Sequence, residues 1–255
     1  MKKFLLFILI LNAVFTLYPD VFVKIKPKKS SKLTNFYVSK YLVTQSQYKR
    51  VMDNNSSLFK GEDLPVERVS WYECLVYCNR LSIIENLEPV YSLKDMKNPD
   101  DWGIIPTHRL LIWSQIKADT LANGYRLLYD KEWQYLYNEF FGKFDKSDDY
   151  YEKIEAYAWI ETNSGNRTHP VGIKKADKFN LYDFLGNVLE WRYDHYGNIN
   201  NAYFSYDSEA EKMFYSSLSY KRLYHRNFLI IRNQKGLYPV LRSPQIGFRI
   251  AKNVE

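Results

Sequence analysis

The chain has 255 residues, 46% hydrophobic and 25% charged, the profile of a globular protein with ample core rather than of a disordered or fibrous one. Only 10 Gly and 9 Pro exclude collagen-like and low-complexity classes, and 2 Cys exclude a disulfide scaffold or a cysteine-rich zinc module. The net charge of +7 is moderately basic, but no nucleic-acid recognition motif accompanies it, so no nucleic-acid partner is expected.

Met1-Lys2-Lys3 is a short positive head, and residues 4–11 are an unbroken apolar run that Ala13, Val14, Phe15 and Leu17 extend. The run falls short of the ~20 residues of a comfortable membrane span and suits a secretory signal over residues 1–18. No small-x-small triplet precedes Tyr18-Pro19-Asp20, so an uncleaved N-terminal membrane anchor is the alternative. Export places the remaining chain in the periplasm, the cell envelope or the medium. Residues 19–33, rich in Lys, Pro and Ser, read as a basic tether or irregular lead-in, and 34–253 as one domain.

The first element of that domain is an extended stretch over 36–43. Thr44 followed by Gln47 is a capping box, with Val43 and Tyr48 placed to form a hydrophobic staple, so a helix starts at Thr44. Ser70 followed by Glu73 is a second capping box, opening a helix that carries Cys74, Leu75, Cys78 and Leu81 at helical spacing. A short extended piece or a long loop is expected over 102–113. A third helix starts at Asp130, with Trp133, Leu136, Tyr137 and Phe140 on one face. The chain closes on an extended 246–250. The pattern is α+β with much irregular structure. Long loops of this kind need pinning, by metal ions or by dense aromatic packing. The sequence supplies 23 Tyr, 15 Phe and 6 Trp for the second.

Four segments in order carry a family resemblance. They are Asn35-Phe36-Tyr37-Val38-Ser39-Lys40-Tyr41-Leu42-Val43-Thr44; then Leu64-Pro65-Val66-Glu67-Arg68-Val69-Ser70-Trp71 running on to Leu87-Glu88-Pro89-Val90-Tyr91; then Asn123-Gly124-Tyr125-Arg126-Leu127 with Glu132-Trp133; and then the sharpest. That one runs Asn163-Ser164-Gly165-Asn166, Thr168-His169-Pro170-Val171-Gly172 and Leu181-Tyr182-Asp183-Phe184-Leu185-Gly186-Asn187-Val188-Leu189-Glu190-Trp191. Ile246-Gly247-Phe248-Arg249 matches the usual close. The chain resembles the sulfatase-modifying factor family, which includes the formylglycine-generating enzymes. The resemblance implies a single compact C-type-lectin-like domain. It does not settle function, because one fold carries several.

The resemblance also frames the catalytic question. Formylglycine-generating members oxidise a substrate cysteine with copper held by two of their own cysteines late in the chain, and soft thiolates suit Cu(I). Here the stretch from Trp191 to Glu255 has no Cys; Tyr224-His225-Arg226-Asn227-Phe228 and Asn233-Gln234-Lys235-Gly236 stand there, and Lys221-Arg222-Leu223-Tyr224 occupies about the position of the family's Arg-Gly-Gly-Ser-Trp turn. No copper is expected and no catalytic residue is assigned. Cys74 and Cys78, at i and i+4, share one helical face with core leucines, where two buried, inert thiols are expected and a disulfide is geometrically awkward. His108, His169, His195 and His225 are scattered, and His169 before Pro170 reads as structural. Asp183, Glu190 and Asp194 could pair as acid and base, but no nucleophile accompanies them.

Calcium follows from the resemblance alone. The family binds it near the Gly-Asn-x-x-Glu turn, which puts Asn187, Val188 and Glu190 forward as oxygen ligands. A second family site would use Asn163, Ser164 and a carbonyl near Gly172. The alternative is that Asn187 holds a turn and Glu190 pairs with an arginine. The function that fits best is a binding or envelope-assembly module without formylglycine-generating activity, offering an aromatic loop face to a peptide, a glycan or an envelope protein. A divergent oxidoreductase or protein-modifying enzyme with non-thiol ligands is the alternative, and a decayed copy the third reading.

Overall fold

The structure, a computed structural model, describes residues 21–108, 110–140, 150–160, 162–193 and 239–254. Its strands are β1 (Phe22–Ile25), β2 (Phe36–Ser39), β3 (Tyr91–Ser92), β4 (Lys117–Ala118), β5 (Tyr125–Leu127), β6 (Leu189–Trp191), β7 (Ile246–Phe248) and β8 (Ile250–Asn253). Its α-helices are α1 (Gln45–Met52), α2 (Trp71–Ile84), α3 (Asp130–Phe140) and α4 (Tyr150–Glu155). The central sheet has the antiparallel order β1-β2-β8-β5. The closing strand β8 therefore lies inside the sheet, with Val38 and Arg126 facing Ala251 from either side. The short β6 and β7 run parallel, pairing Glu190 with Gly247.

Alternation along the strands divides the core in two. Tyr125, Leu127 and Ile250 join α2, Trp113 and Trp191 on one side. Ile25, Phe36, Val38 and Ala251 join Trp133, Leu136 and Phe184 on the other. A sheet with both faces covered this way needs apolar residues at successive positions, which β2 and β8 supply.

Both N-terminal helices start as their sequences dictate. Thr44 accepts from the Gln47 N–H while Gln47 accepts from the Thr44 N–H, and Ser70 and Glu73 exchange the same two bonds. Two of the orphan donors of each first turn are thereby satisfied. The third helix begins at Asp130 as expected.

Two readings are narrowed. Of the two open over 102–113, the stretch is loop and not extended: 3-10 turns over Pro99–Trp102 and Leu111–Gln115 bracket it, and the Trp102 and Trp113 rings meet edge-on at 5.8 Å. Asn98 caps the first turn through the Asp100 N–H, and Pro99 fixes a helical φ behind it. The basic lead-in is also not irregular throughout. It carries β1, whose Ile25 is buried against Phe36 and Val38.

Candidate functional site

The segment 183–190 is a sharp turn running into β6. Asp183, Gly186 and Asn187 all have positive φ. Gly186 is obligatory for a second reason, because a Cβ there would lie 2.2 Å from the Trp159 carbonyl oxygen. Asn187, fully buried, tolerates the left-handed region and makes its side chain useful. Its amide clamps the peptide of residue 169: Oδ1 accepts from the His169 N–H at 3.0 Å and Nδ2 donates to the His169 carbonyl at 2.9 Å. Nδ2 also lies 3.4 Å from Asp183 Oδ1. The other Asp183 oxygen accepts from the Gly172 N–H at 2.8 Å.

The loop 158–172 is fastened to that turn. The imidazole of His169 stacks on Trp159 with centroids 3.7 Å apart, and its Nε2 lies 2.7 Å from the Ser164 carbonyl oxygen. The Lys174 ammonium sits 4.2 Å over the Trp159 ring. Asn163 commits both amide atoms to its own turn, accepting from the Ile160 N–H and donating to the Ala158 carbonyl. His169 is thus a structural residue.

Glu190 points inward from β6 to Arg249, between β7 and β8. Arg249 Nε donates to Glu190 Oε1 at 3.0 Å, and the rest of the guanidinium donates to the carbonyls of Ser39, Lys40 and Tyr182 at 2.8–2.9 Å. Four oxygens from three segments converge on one buried cation. The alternative reading of Asn187 and Glu190, a turn holder and an arginine partner, describes these contacts. The second Glu190 oxygen is left over: Oε2 is buried with no hydrogen-bond partner among the described residues. Burial pushes the Glu190 carboxyl up, and Arg249 opposes that. Burial pushes Asp183 up as well, opposed by the Gly172 N–H. Asp177 follows the same rule, with the Leu181 and Phe179 N–H groups opposing. Among the described residues no group of three or more His, Cys, Asp and Glu is placed to hold a metal ion.

The copper question turns on donors. Cys74 and Cys78 are free, buried and on α2. Burial pushes both thiols far up, away from the thiolate form that binds soft metals. They are the only two Cys of the sequence, so the residues present do not fit a two-thiolate copper site. Asp194, His195, His225 and Lys235 lie outside the described residues.

Arg249 stands in the closing Gly-Phe-Arg, and no local motif assigns it a role. The signal was its setting, an arginine between Phe248 and Ile250, since a charged residue inside an apolar strand pair must be paired. Aromatic packing was expected, but not its arrangement. Tyr193 stacks on both Trp71 and Tyr91, at 5.8 and 5.1 Å, next to the Trp71 indole that donates to the Arg192 carbonyl.

A small antiparallel sheet flanked by helices, with long loops pinned by buried aromatic and ion-pair contacts, is the formylglycine-generating type of C-type-lectin-like fold. The chain belongs to the sulfatase-modifying factor family: residues 8–254 match the sulfatase-modifying factor enzyme 1-like domain. It is 37% identical over 183 residues to the chaperone protein LppX of Paenibacillus barcinonensis, a match that spans 64% of this chain and 63% of that protein. Among solved structures it resembles Treponema denticola variable protein 1, at 25% identity and a TM-score of 0.66 over 87% of this chain and 85% of the other. It also resembles CarF, at 20% identity and a TM-score of 0.60 over 91% and 93% of the two chains.

Proposed function

We propose that the chain is an exported family member without formylglycine-generating activity that binds another protein of the envelope and assists its assembly. The observation that carries the first half is the burial of both thiols on α2. The family's cysteine oxidation needs two accessible thiolates on one copper ion, and neither accessibility nor deprotonation is available here. The second half is supported by the relative named as a chaperone. A fold held by internal caps and ion pairs, with its catalytic thiols gone, retains what a binding module needs: a rigid scaffold for loops.

A structural calcium ion belongs to the same proposal. Of the residues the resemblance offers, the Val188 carbonyl and Glu190 would hold it, with the Asn187 amide kept on His169; Glu190 Oε2, without a hydrogen-bond partner among the described residues, is the oxygen that fits it. The ion would supply no chemistry beyond holding the turn.

The test has two arms. Incubation with copper, oxygen and a peptide bearing a sulfatase-type cysteine should leave the peptide mass unchanged relative to copper alone. Light scattering of a reduced, unfolded reporter such as α-lactalbumin should rise more slowly with an equimolar amount of this chain. Aldehyde formation above the copper control would overturn the first half, and unchanged aggregation the second.

A further inference from the structure

On the α2 side of the central sheet, the register puts Lys24, Tyr37, Lys252 and Tyr125 in one row across all four strands. Helix α2 covers the β5 end of this row, where the Tyr125 hydroxyl donates to Glu85. The β1 end is open, with Lys24 exposed and Tyr37 half-buried. The rings brace the cations: Lys252 Nζ lies 5.5–5.8 Å from the centroids of Phe22, Tyr37 and Tyr125, and Lys24 Nζ lies 5.6 Å from Tyr37. Residues 21–40 contain 6 Lys and no Asp or Glu. Of these, Lys28 is neutralised by Glu139 at 2.7 Å, while Lys24, Lys26, Lys29 and Lys32 are exposed.

Lysine on an edge strand often serves only to discourage pairing with another chain. That explains Lys24 and not the rest. Lys252 is on an inner strand, and Lys26, Lys29 and Lys32 follow β1. The apolar run ends at Leu17, five residues before Phe22, so extended chain places the start of β1 within about 18 Å of it. A bilayer that takes up the run therefore brings its headgroups against this lysine row.

We propose that the β1 edge of the sheet, with Lys24 and Lys252 braced by Phe22 and Tyr37 and the exposed Lys26 directly after β1, docks on an anionic phospholipid surface. Ammonium groups meet lipid phosphates, and the aromatic rings sit at headgroup level. This rests on the apolar run engaging a membrane, not on the assembly role, whose aggregation test stands apart.

The experiment measures partitioning of the full chain onto vesicles of phosphatidylcholine, and of phosphatidylcholine with about one-third phosphatidylglycerol. The neutral vesicles report the apolar run; the increment on anionic vesicles reports the lysines. K24Q/K26Q should cut that increment about tenfold or more, since each lysine near such a surface contributes about fivefold. K24R/K26R should keep it. K49Q/R50Q, which removes the same charge from exposed positions of α1, should keep it too. Salt of about 0.5 M should remove it from every variant. Equal losses in K24Q/K26Q and K49Q/R50Q would reduce the effect to net charge and overturn the proposal. So would an increment that no lysine change moves, or none at all in the wild type.

Discussion

At residue scale, Glu190 has one oxygen on Arg249 and one on nothing among the described residues. If calcium uses the second, saturating calcium should raise Tm by roughly 3–8 °C over a chelator control, magnesium should not, and Glu190→Gln should remove the shift. An unchanged wild-type Tm would end the calcium reading and leave Arg249 as the cation hydrogen-bonded to Glu190. Asp183 gives a pH test. Burial holds Asp177, Asp183 and Glu190 above the ordinary carboxylate range near 4. A raised folded carboxyl binds its proton more tightly than the unfolded one does. Its stabilisation is complete below the ordinary value and is lost as pH rises through the raised one. Glu139 runs the other way: Lys28 and Lys178 hold it at about 2, so its contribution persists above the ordinary value and fails only as pH falls toward 2. As pH falls from neutral toward the ordinary carboxylate value, the buried acids should therefore favour the folded state, and Asp183→Asn should flatten that trend in Tm. A slope unchanged in Asp183→Asn would show that the aspartate is not the titrating group. Asn187 and Glu190 were legible from the Gly-Asn-x-x-Glu pattern. Their partners were not, because His169 and Arg249 lie 18 and 59 residues away, and no local rule pairs them.

At the scale of elements, α2 is the member that the rest of the chain grips. Its capping glutamate does two jobs: Glu73 Oε2 accepts from the Ser70 N–H at 2.6 Å and from Arg242 Nε at 2.9 Å. The Trp71 N–H donates to the Pro239 carbonyl at 3.0 Å, so the closing segment is tied to the first turn of this helix twice. Ser70→Ala should cost about 1 kcal/mol, the usual value of a cap, while Glu73→Ala should cost more because it also releases Arg242. Urea unfolding midpoints decide the order; equal costs would mean that the Arg242 contact adds nothing. Cys74→Ala with Cys78→Ala should cost roughly 1–3 kcal/mol in total through packing alone, and a thiol reagent should label neither residue in the native chain. Rapid labelling of both would contradict their burial. The capped helices were readable because a capping box is a local pattern of four residues. The strand β1 was missed because its alternation, Phe22-Val23-Lys24-Ile25, is short and sits among lysines and a following Pro27. The stretch over 102–113 stayed open between strand and loop because its tryptophans mimic strand composition, while Asn98 and Pro99 just upstream direct a turn.

For the whole molecule, the α+β class was readable from alternating helix and strand signals, but the order β1-β2-β8-β5 was not. Phe36 pairs with Asn253 across nearly the full length of the domain, and only the packed sheet brings them together. That order decides where the folding unit begins. A domain starting at residue 34 was the expectation from composition, and β1 argues for an earlier start. All four residues of β1 pair with β2, and Ile25 is 3% exposed within the cluster that holds Phe36, Val38, Trp133 and Phe184. Removing β1 would uncover these residues and leave β2 as a hydrophobic edge with unpaired N–H and C=O groups. The loss of Ile25 alone is comparable to a buried Ile→Ala change, about 2–5 kcal/mol. A chain beginning at Thr34 should therefore melt well below the full chain and aggregate, whereas one beginning at Pro19 should keep the full chain's Tm. Ile25→Ala in the longer chain should fall between them, which separates loss of the side chain from loss of the strand. Should the chain from Thr34 melt with the full-length protein, β1 would be a dispensable flap on an independently stable domain, and the lead-in a tether after all.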